Sequence, residues 1–313
     1  MTRPALDDVP MLDVFLNYAC QAKCPFCYNP PLTPELVAWK LPVDRLAREL
    51  LEGHRKGFRG VTFSGGEVTL LAELPTMLRL ARKAGYSSIG VISNGLRMAD
   101  AAYARELVAS GMSFACLSIH AGEAALHDEL LAVPGAFDKA LRALDHLEAS
   151  SVPAVLNFVI TRRNAAAMPA FIERFAARAG VVEFQLYFPH YEGLMNVHAG
   201  ALEVPVKDVL PSLEAAFARA RALGAADKVF VYNMPPCALP SLPRERLRNW
   251  ERESTSLLID PKGVDDGRFQ NERRDRFKNE RCRSCALDAR CLGFESGYVR
   301  RYGDAELRPV ERP

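Results

Sequence analysis

Residues 11–29 read MLDVFLNYACQAKCPFCYN. The first seven alternate apolar and polar side chains well enough for a strand, and Cys20, Cys24 and Cys27 follow on the loop beyond its C-terminal end. The spacing is C-x3-C-x2-C. Thiols this close on one loop cannot all pair with one another as disulfides, and grouped sulfur ligands suit an iron–sulfur cluster or a zinc ion. Three ligands are one fewer than either centre takes. A zinc site would borrow a fourth from elsewhere, whereas a four-iron cluster would keep one iron open to a reacting ligand.

Outward from this loop the order strand, loop, helix repeats. Asp44 is placed to cap a helix with Leu46, Leu50 and Leu51 on one face, ending near Gly53 or Gly57. VTFSGGE, residues 61–67, is a short apolar strand running into two glycines and an acid. A helix over about 70–83 leads to SIGVISNG (88–95), closed by a turn at Asn94-Gly95. A helix around 101–110 leads to FACLSIHA (114–121), and a helical region broken at Pro134-Gly135 leads to PAVLNFVIT (153–161). A helix from near Ala167 precedes VEFQLYFP (182–189). Six strands, each returning through a helix, predict an α/β fold with a parallel sheet and right-handed crossovers. The pattern alone allows a doubly wound sheet or a partial barrel.

C-x3-C-x-aromatic-C, with Phe26 before the last cysteine, resembles the cluster motif of the radical S-adenosylmethionine (SAM) enzymes. The resemblance implies a six-stranded (β/α)6 partial TIM barrel with the cluster loop after the first strand and chemistry at the C-terminal strand ends. It also implies that the open iron binds the amino and carboxylate groups of SAM. One electron then cleaves SAM to a 5'-deoxyadenosyl radical, which takes a hydrogen atom from an unactivated carbon.

Ser64-Gly65-Gly66-Glu67 lies at the family's spacing from the cysteine loop. Glycines admit close backbone approach and a carboxylate receives an ammonium, and the resemblance implies that this motif holds the amino group of SAM. Many relatives have proline after the acid; this chain has Val68. The other SAM candidates stand at strand ends. These are Ser93 and Asn94 on the third strand, Ser118 and His120 on one face of the fourth, and Asn157 and Val159 on the fifth, with Asn164 beyond. Asn157-x-Val159 is similar to the N-x-V pattern of relatives with a C-terminal cluster domain. Their polar groups are expected on the ribose and carboxylate, with Phe26, Val159 and Leu186 flanking the adenine; ordinary strand-end caps and core contacts are the competing reading. Cys116 reads as a buried, inert thiol. Tyr187, His190, Tyr191 and Glu192 gather at the end of the sixth strand, where substrate is expected to enter.

Beyond about residue 200 the rhythm changes. Residues 206–223 read as an amphipathic helix despite Pro211, 228–233 as a short strand, and the charge-dense stretch Arg244–Arg283 as a solvated face. Cys237, Cys282, Cys285 and Cys291 form a second group, the last three spaced C-x2-C-x5-C. Four thiolates can ligate a cluster completely, and a structural zinc site is the alternative. This spacing and the aromatic-rich tail resemble the SPASM and twitch annexes that carry auxiliary 4Fe-4S clusters on radical SAM cores. A full SPASM domain has a further cysteine where this chain has Glu295, so one auxiliary cluster is expected. The implied division is a core over 1–203 and an annex over 204–313. Neither a cobalamin-binding nor a leader-peptide-recognition domain is expected ahead of the cluster motif, so a peptide substrate would need a separate leader-peptide-binding protein.

The 313 residues are 49% hydrophobic and 25% charged, too apolar for a disordered chain. A net charge of +2 gives no electrostatic case for nucleic acid or an acidic membrane. With no signal peptide and no run of about 20 apolar residues, the expected location is cytoplasmic, where eight cysteines read as metal or catalytic sites rather than disulfides. The leading expectation is a radical SAM enzyme that oxidises a peptide, protein or natural product, served by a flavodoxin- or ferredoxin-type electron donor. Its rivals are a radical SAM dehydrogenase or decarboxylase of a small sugar-like metabolite, and an iron–sulfur electron-transfer or metal-sensing protein. The last would leave the GGE motif and the repeated α/β core without a purpose.

Overall fold

The apolar runs form β1 (Met11–Phe15), β2 (Gly60–Ser64), β3 (Ser88–Ser93), β4 (Phe114–Ser118), β5 (Ala154–Val159) and β6 (Val181–Tyr187), each parallel to the next. The computed structural model describes residues 9–251, 257–260, 263–266 and 276–311. Between the strands run α1 (Pro34–Ala38), α2 (Val43–Arg55), α3 (Leu74–Lys83), α4 (Ala101–Ser110), α5 (Ala124–Leu131), α6 (Ala136–Ala149) and α7 (Met168–Phe175). After β6 come α8 (Gly193–Val197), α9 (Ala199–Leu202) and α10 (Val206–Ala222), and near the end α11 (Ser296–Tyr302). Strand alternation sorts the side chains. Leu12, Val14, Val61, Phe63, Val91, Leu117, Leu156, Phe184 and Leu186 join helix residues such as Leu50, Met77, Leu107, Leu144 and Phe171 in the main core. Their neighbours Asp13, Thr62, Ile92, Cys116, Asn157 and Gln185 take the other face.

The sheet does not stop at six strands, and this corrects the expected count. β7 (Val229–Tyr232) and β8 (Leu247–Arg248) extend it in parallel beyond β6. On the opposite edge β9 (Leu257–Asp260) pairs in parallel with β1, and β10 (Gly263–Asp266) pairs antiparallel with β9. The result is a curled, half-barrel sheet in the order β10-β9-β1-β2-β3-β4-β5-β6-β7-β8. The reason is edge satisfaction: β1 and β6 alone would each present a row of unpaired N–H and C=O groups. A separate ribbon pairs β11 (Arg276–Phe277) with β12 (Phe294–Glu295).

Local details also shift. The helix expected to start at Asp44 starts at Val43 after Pro42, and Asp44 instead pairs with Arg48 on the surface. Leu51 is exposed, because one residue past Leu50 is 100° around the helix, and Leu46, Leu50 and Gly53 form the buried face. The helix expected from about residue 70 begins at Leu74, with Pro75 in its first turn, where a missing N–H costs nothing. Of the stretch Arg244–Arg283, residues 252–256, 261–262 and 267–275 lie outside the described residues; Arg276 is nearly buried rather than solvated. No helix among the described residues is long and apolar enough to cross a membrane.

Candidate functional site

The cysteine loop leaves the end of β1 and is held from three sides. Gly66 N–H donates to the Asn17 carbonyl (2.6 Å), Glu67 N–H to the Ala19 carbonyl (2.8 Å), and the Asn17 amide to the carbonyls of Ala19 and Glu67. This contact is why both glycines are needed. A Cβ on Gly65, at φ +155°, would stand 2.5 Å from the Asn17 carbonyl oxygen; one on Gly66 would stand 2.5 Å from that of Ala19 and closer still to that of Tyr18. On the second side Lys23 N–H donates to Leu131 at the end of α5 (2.9 Å). On the third, Leu194 and Met195 N–H donate to the carbonyls of Asn29 and Cys27, both at 3.0 Å. Ala22, Phe26, Leu96, Leu130, Leu131, Met195 and Leu202 form a small core against which Cys20 and Cys24 pack.

Glu67 is buried, and its carboxylate accepts four hydrogen bonds. They come from Thr69 N (3.1 Å), Thr69 Oγ1 (2.6 Å), Ser93 Oγ (2.8 Å) and Asn94 N (2.8 Å). Burial pushes its pKa up against the pull of those donors. Asn94 Nδ2 lies 3.9 Å from Cys20 Sγ, and Gln21 Nε2 donates to Asn94 Oδ1 (3.3 Å). The ends of β1, β2 and β3 thus converge, bringing Cys20, Ser64 to Glu67, Ser93 and Asn94 together.

The fourth and fifth strand ends close the other side. His120 is buried edge-on to Phe26, ring centroids 4.8 Å apart, and its Nδ1 accepts Val159 N–H (3.1 Å). Asn164 Nδ2 donates to the carbonyls of His120 and Val159, while its Oδ1 accepts from Thr161 N and Oγ1. Behind it, His127 Nδ1 accepts His120 N–H (3.2 Å). Burial, with His127 alongside, holds the His120 pKa well below 6.5; burial lowers that of His127 to about 4. Ser118 and Asn157 are register partners. Leu186 is placed elsewhere: it is fully buried in the main core, and Gln185 and Tyr187 flank it on the opposite face. Cys116 is buried, its thiol pushed up to about 12 by burial and by Glu183.

At the end of β6, Tyr187 stacks on Tyr232 at 4.5 Å. Tyr191 is buried beneath α11, where a Cβ on Gly297 would stand 2.5 Å from the Tyr191 Cβ. His190 Nδ1 lies 2.9 Å from Glu295 Oε1, and its Nε2 2.9 Å from Asn233 Nδ2. Nothing in the sequence flagged Glu295, Asn233 or Gly193 for such contacts, since each depends on a neighbour far along the chain.

All eight cysteines are free thiols. Cys237, Cys282, Cys285 and Cys291 line one cavity with Phe277, Phe294 and Leu307. Backbone N–H groups point at its sulfurs: Leu287 and Val310 at Cys285 (3.4 and 3.3 Å) and Gly293 at Cys291 (3.2 Å). Burial first, then the three neighbouring thiols, pushes the Cys237 thiol up to about 12. In the first loop, burial and the thiols of Cys27 and Cys20 push Cys24 up, and Cys20 is raised to about 11. No three Cys, His, Asp or Glu side chains among the described residues are grouped as ligands of a single ion. Two sets of buried and half-buried thiols, three in one and four in the other with N–H donors on Cys285 and Cys291, are a donor chemistry that fits iron–sulfur clusters.

A family model described as the radical SAM superfamily matches residues 14–174. The chain belongs to that superfamily. It is therefore an enzyme, and SAM and a 4Fe-4S cluster are the cofactors that go with the family. The chain is 30% identical over 191 residues to a probable GTP 3',8-cyclase of Saccharolobus solfataricus, covering 58% of each protein. It is 27% identical over 250 residues to the PqqA peptide cyclase of Granulibacter bethesdensis, covering 79% of this chain and 64% of that one. It thus spans roughly three-fifths of the length of these curated relatives. Among solved structures, SuiB of Streptococcus suis bound to its precursor peptide SuiA superposes with a TM-score of 0.70 at 15% identity, over 97% of this chain and 75% of the other, a likeness of fold.

Proposed function

We propose that this radical SAM enzyme modifies a peptide or protein by abstracting a hydrogen atom from an unactivated carbon, with net oxidation of the substrate. The observation that carries the reading is the four-thiol cavity of the C-terminal segment. The likeness to PqqA peptide cyclase is long enough to reach into that segment. In this reading residues 1–203 form the core and 204–313 a SPASM- or twitch-like annex.

Cys20, Cys24 and Cys27 would hold the first cluster, and Cys237, Cys282, Cys285 and Cys291 an auxiliary one. When bound, the first cluster and SAM supply the one-electron cleavage that yields a hydrogen-abstracting 5'-deoxyadenosyl radical, and a fully ligated second cluster supplies an electron acceptor. The chain's own residues orient and enclose. The Ser64-Gly65-Gly66 backbone and the Glu67 carboxylate border the place for the SAM amino group, and Glu67 is held rigidly by β3 for that task. Ser93, Asn94, Ser118, His120 and Asn157 offer polar groups to ribose and carboxylate. Phe26 and Val159 supply apolar walls and exclude water. Tyr187 and His190 stand on the substrate side. A flavodoxin- or ferredoxin-type protein would deliver the electron, and a separate protein would present a leader peptide.

The 30% identity to a probable GTP 3',8-cyclase favours a second reading, a small metabolite as substrate. The test supplies SAM and reductant anaerobically and measures 5'-deoxyadenosine alone, with candidate peptides and with nucleotides or sugars. Slow release alone, stimulated release with a peptide, and a peptide product lighter by two hydrogens are the expected results. Stimulation by a nucleotide or sugar and by no peptide transfers the assignment to the second reading.

A further inference from the structure

We infer that the six residues His190–Met195 are a rigid coupling that fixes the Cys20–Cys27 loop to the C-terminal cysteine-bearing segment, with Glu295 and Gly193 as positioning residues at its two ends. The inference rests on reading that loop as the cluster site.

At the C-terminal end, Glu295 stands in β12 where a full SPASM domain would have a ligand cysteine, and here it is buried. Its Oε1 meets His190 Nδ1 at 2.9 Å and Arg276, its partner across the ribbon, at 3.2 Å. The Asn233 amide donates to the Phe188 carbonyl (3.1 Å) and from the same nitrogen to His190 Nε2. His190 Nε2 is therefore the acceptor, leaving Nδ1–H to donate to Glu295. One residue on, Tyr191 is wedged under α11 with no space for a side chain at Gly297.

At the other end, Gly193 has φ +54°, and a Cβ there would collide with the carbonyl oxygens of Tyr28 and Asn29. The next two N–H groups bond the carbonyls of Asn29 and Cys27, and the Met195 side chain is buried with Phe26 beside Cys20 and Cys24. A segment pinned at His190, Tyr191, Gly193, Leu194 and Met195, with only the exposed Glu192 between them, has little slack to absorb a shift, and packed interiors transmit displacement. Glu295 thus does, without ligating metal, what a rigid strut does. Moving the C-terminal segment moves the backbone carbonyls of Cys27, Tyr28 and Asn29.

The experiment compares wild type with Glu295→Ala, Glu295→Gln and Gly193→Ala, each reconstituted anaerobically with iron and sulfide. Hydrogen exchange is followed by mass spectrometry, together with the electron paramagnetic resonance (EPR) spectrum of the reduced protein with and without SAM. In Glu295→Ala, exchange in 190–197 and 17–29 should rise by about tenfold or more, since the His190 hydrogen bond and the buried Arg276 ion pair are lost together, while 88–93 and 114–118 keep wild-type rates. The spectral change on adding SAM should shrink. Glu295→Gln, which keeps an acceptor for His190, should restore much of both. Gly193→Ala should loosen 17–29 without loosening 276–295. The coupling is overturned if Glu295→Ala loosens 190–192 yet leaves 17–29 and the SAM-dependent spectrum unchanged. It is equally overturned if every strand accelerates alike in both Glu295 variants, since Glu295 would then serve only overall stability. Wild type that takes up no iron would sink the cluster reading, while the exchange rates still decide the coupling.

Discussion

Lowering the pH should destabilise this protein through His127. The ring is fully buried beside Phe137 and His120, and Nδ1 accepts the His120 N–H, so a proton there would set donor against donor. Burial, partly opposed by Asp128, holds its pKa at about 4 against the ordinary 6.5. The folded value lies below the unfolded one, so between pH 6.5 and 4 the unfolded chain binds the proton and the folded chain does not. Stability is then complete above about pH 6.5 and is lost as the pH falls through that window. The gap between 6.5 and about 4, at about 1.4 kcal/mol per pH unit, makes this roughly 3 kcal/mol, a large share of a typical stability of about 5–15 kcal/mol. His120 adds a loss of the same sign. The assay is urea unfolding in steps from pH 7.5 to 4, comparing wild type with His127→Asn, whose amide oxygen can still accept from His120 but does not titrate. Carboxylate titrations cancel in the difference, and wild type should lose about 3 kcal/mol more than the variant. Parallel curves for the two proteins would refute the reasoning.

Further tests address the site. Gly66→Ala should force the GGE turn away from the cysteine loop and cost about 2–4 kcal/mol of local stability through overpacking and two lost hydrogen bonds, read as lower iron retention and weaker SAM binding. Anaerobically purified protein should carry about eight irons per chain, and replacing Cys20, Cys24 and Cys27 together by alanine should remove about half; stoichiometric zinc in place of iron would overturn both cluster assignments. Cys237→Ala, checked for folding and remaining iron, should still release 5'-deoxyadenosine but give no oxidised product. Normal product yield with the auxiliary iron gone would leave that centre no electronic role.

What was legible in the sequence follows from length scale. β1 to β6 are five to seven residues of apolar sequence between helical segments, long enough for periodicity to show, and the cysteine spacing pointed to the strand ends that meet at the candidate site. The short strand read over 228–233 is β7, but nothing local joined it to β6, while β8 with two residues and β9 with four showed no pattern of their own, so the extension of the sheet at both edges was hidden. The glycines of GGE were legible as a close approach, but the partner proved to include the cysteine loop's own carbonyls. Leu186 follows the strand alternation that placed it opposite Gln185 and Tyr187, in the main core, and only the register of β6 against β5 and β7 made that plain. Glu295 and His190 are 105 residues apart, and no local signal joins them.

The pairing of β9 with β1 also has a consequence for biosynthesis. Leu12 waits for Leu257, roughly 245 residues later, before its outer edge is filled. At about 5–20 residues per second, the strand that leads into Cys20 would leave the ribosome some 12–50 seconds before its last neighbour. During that interval the thiols proposed to hold the first cluster are tethered to a strand with one edge open. Delivery of iron and sulfide to the nascent chain would therefore meet a more accessible loop than delivery to the finished protein.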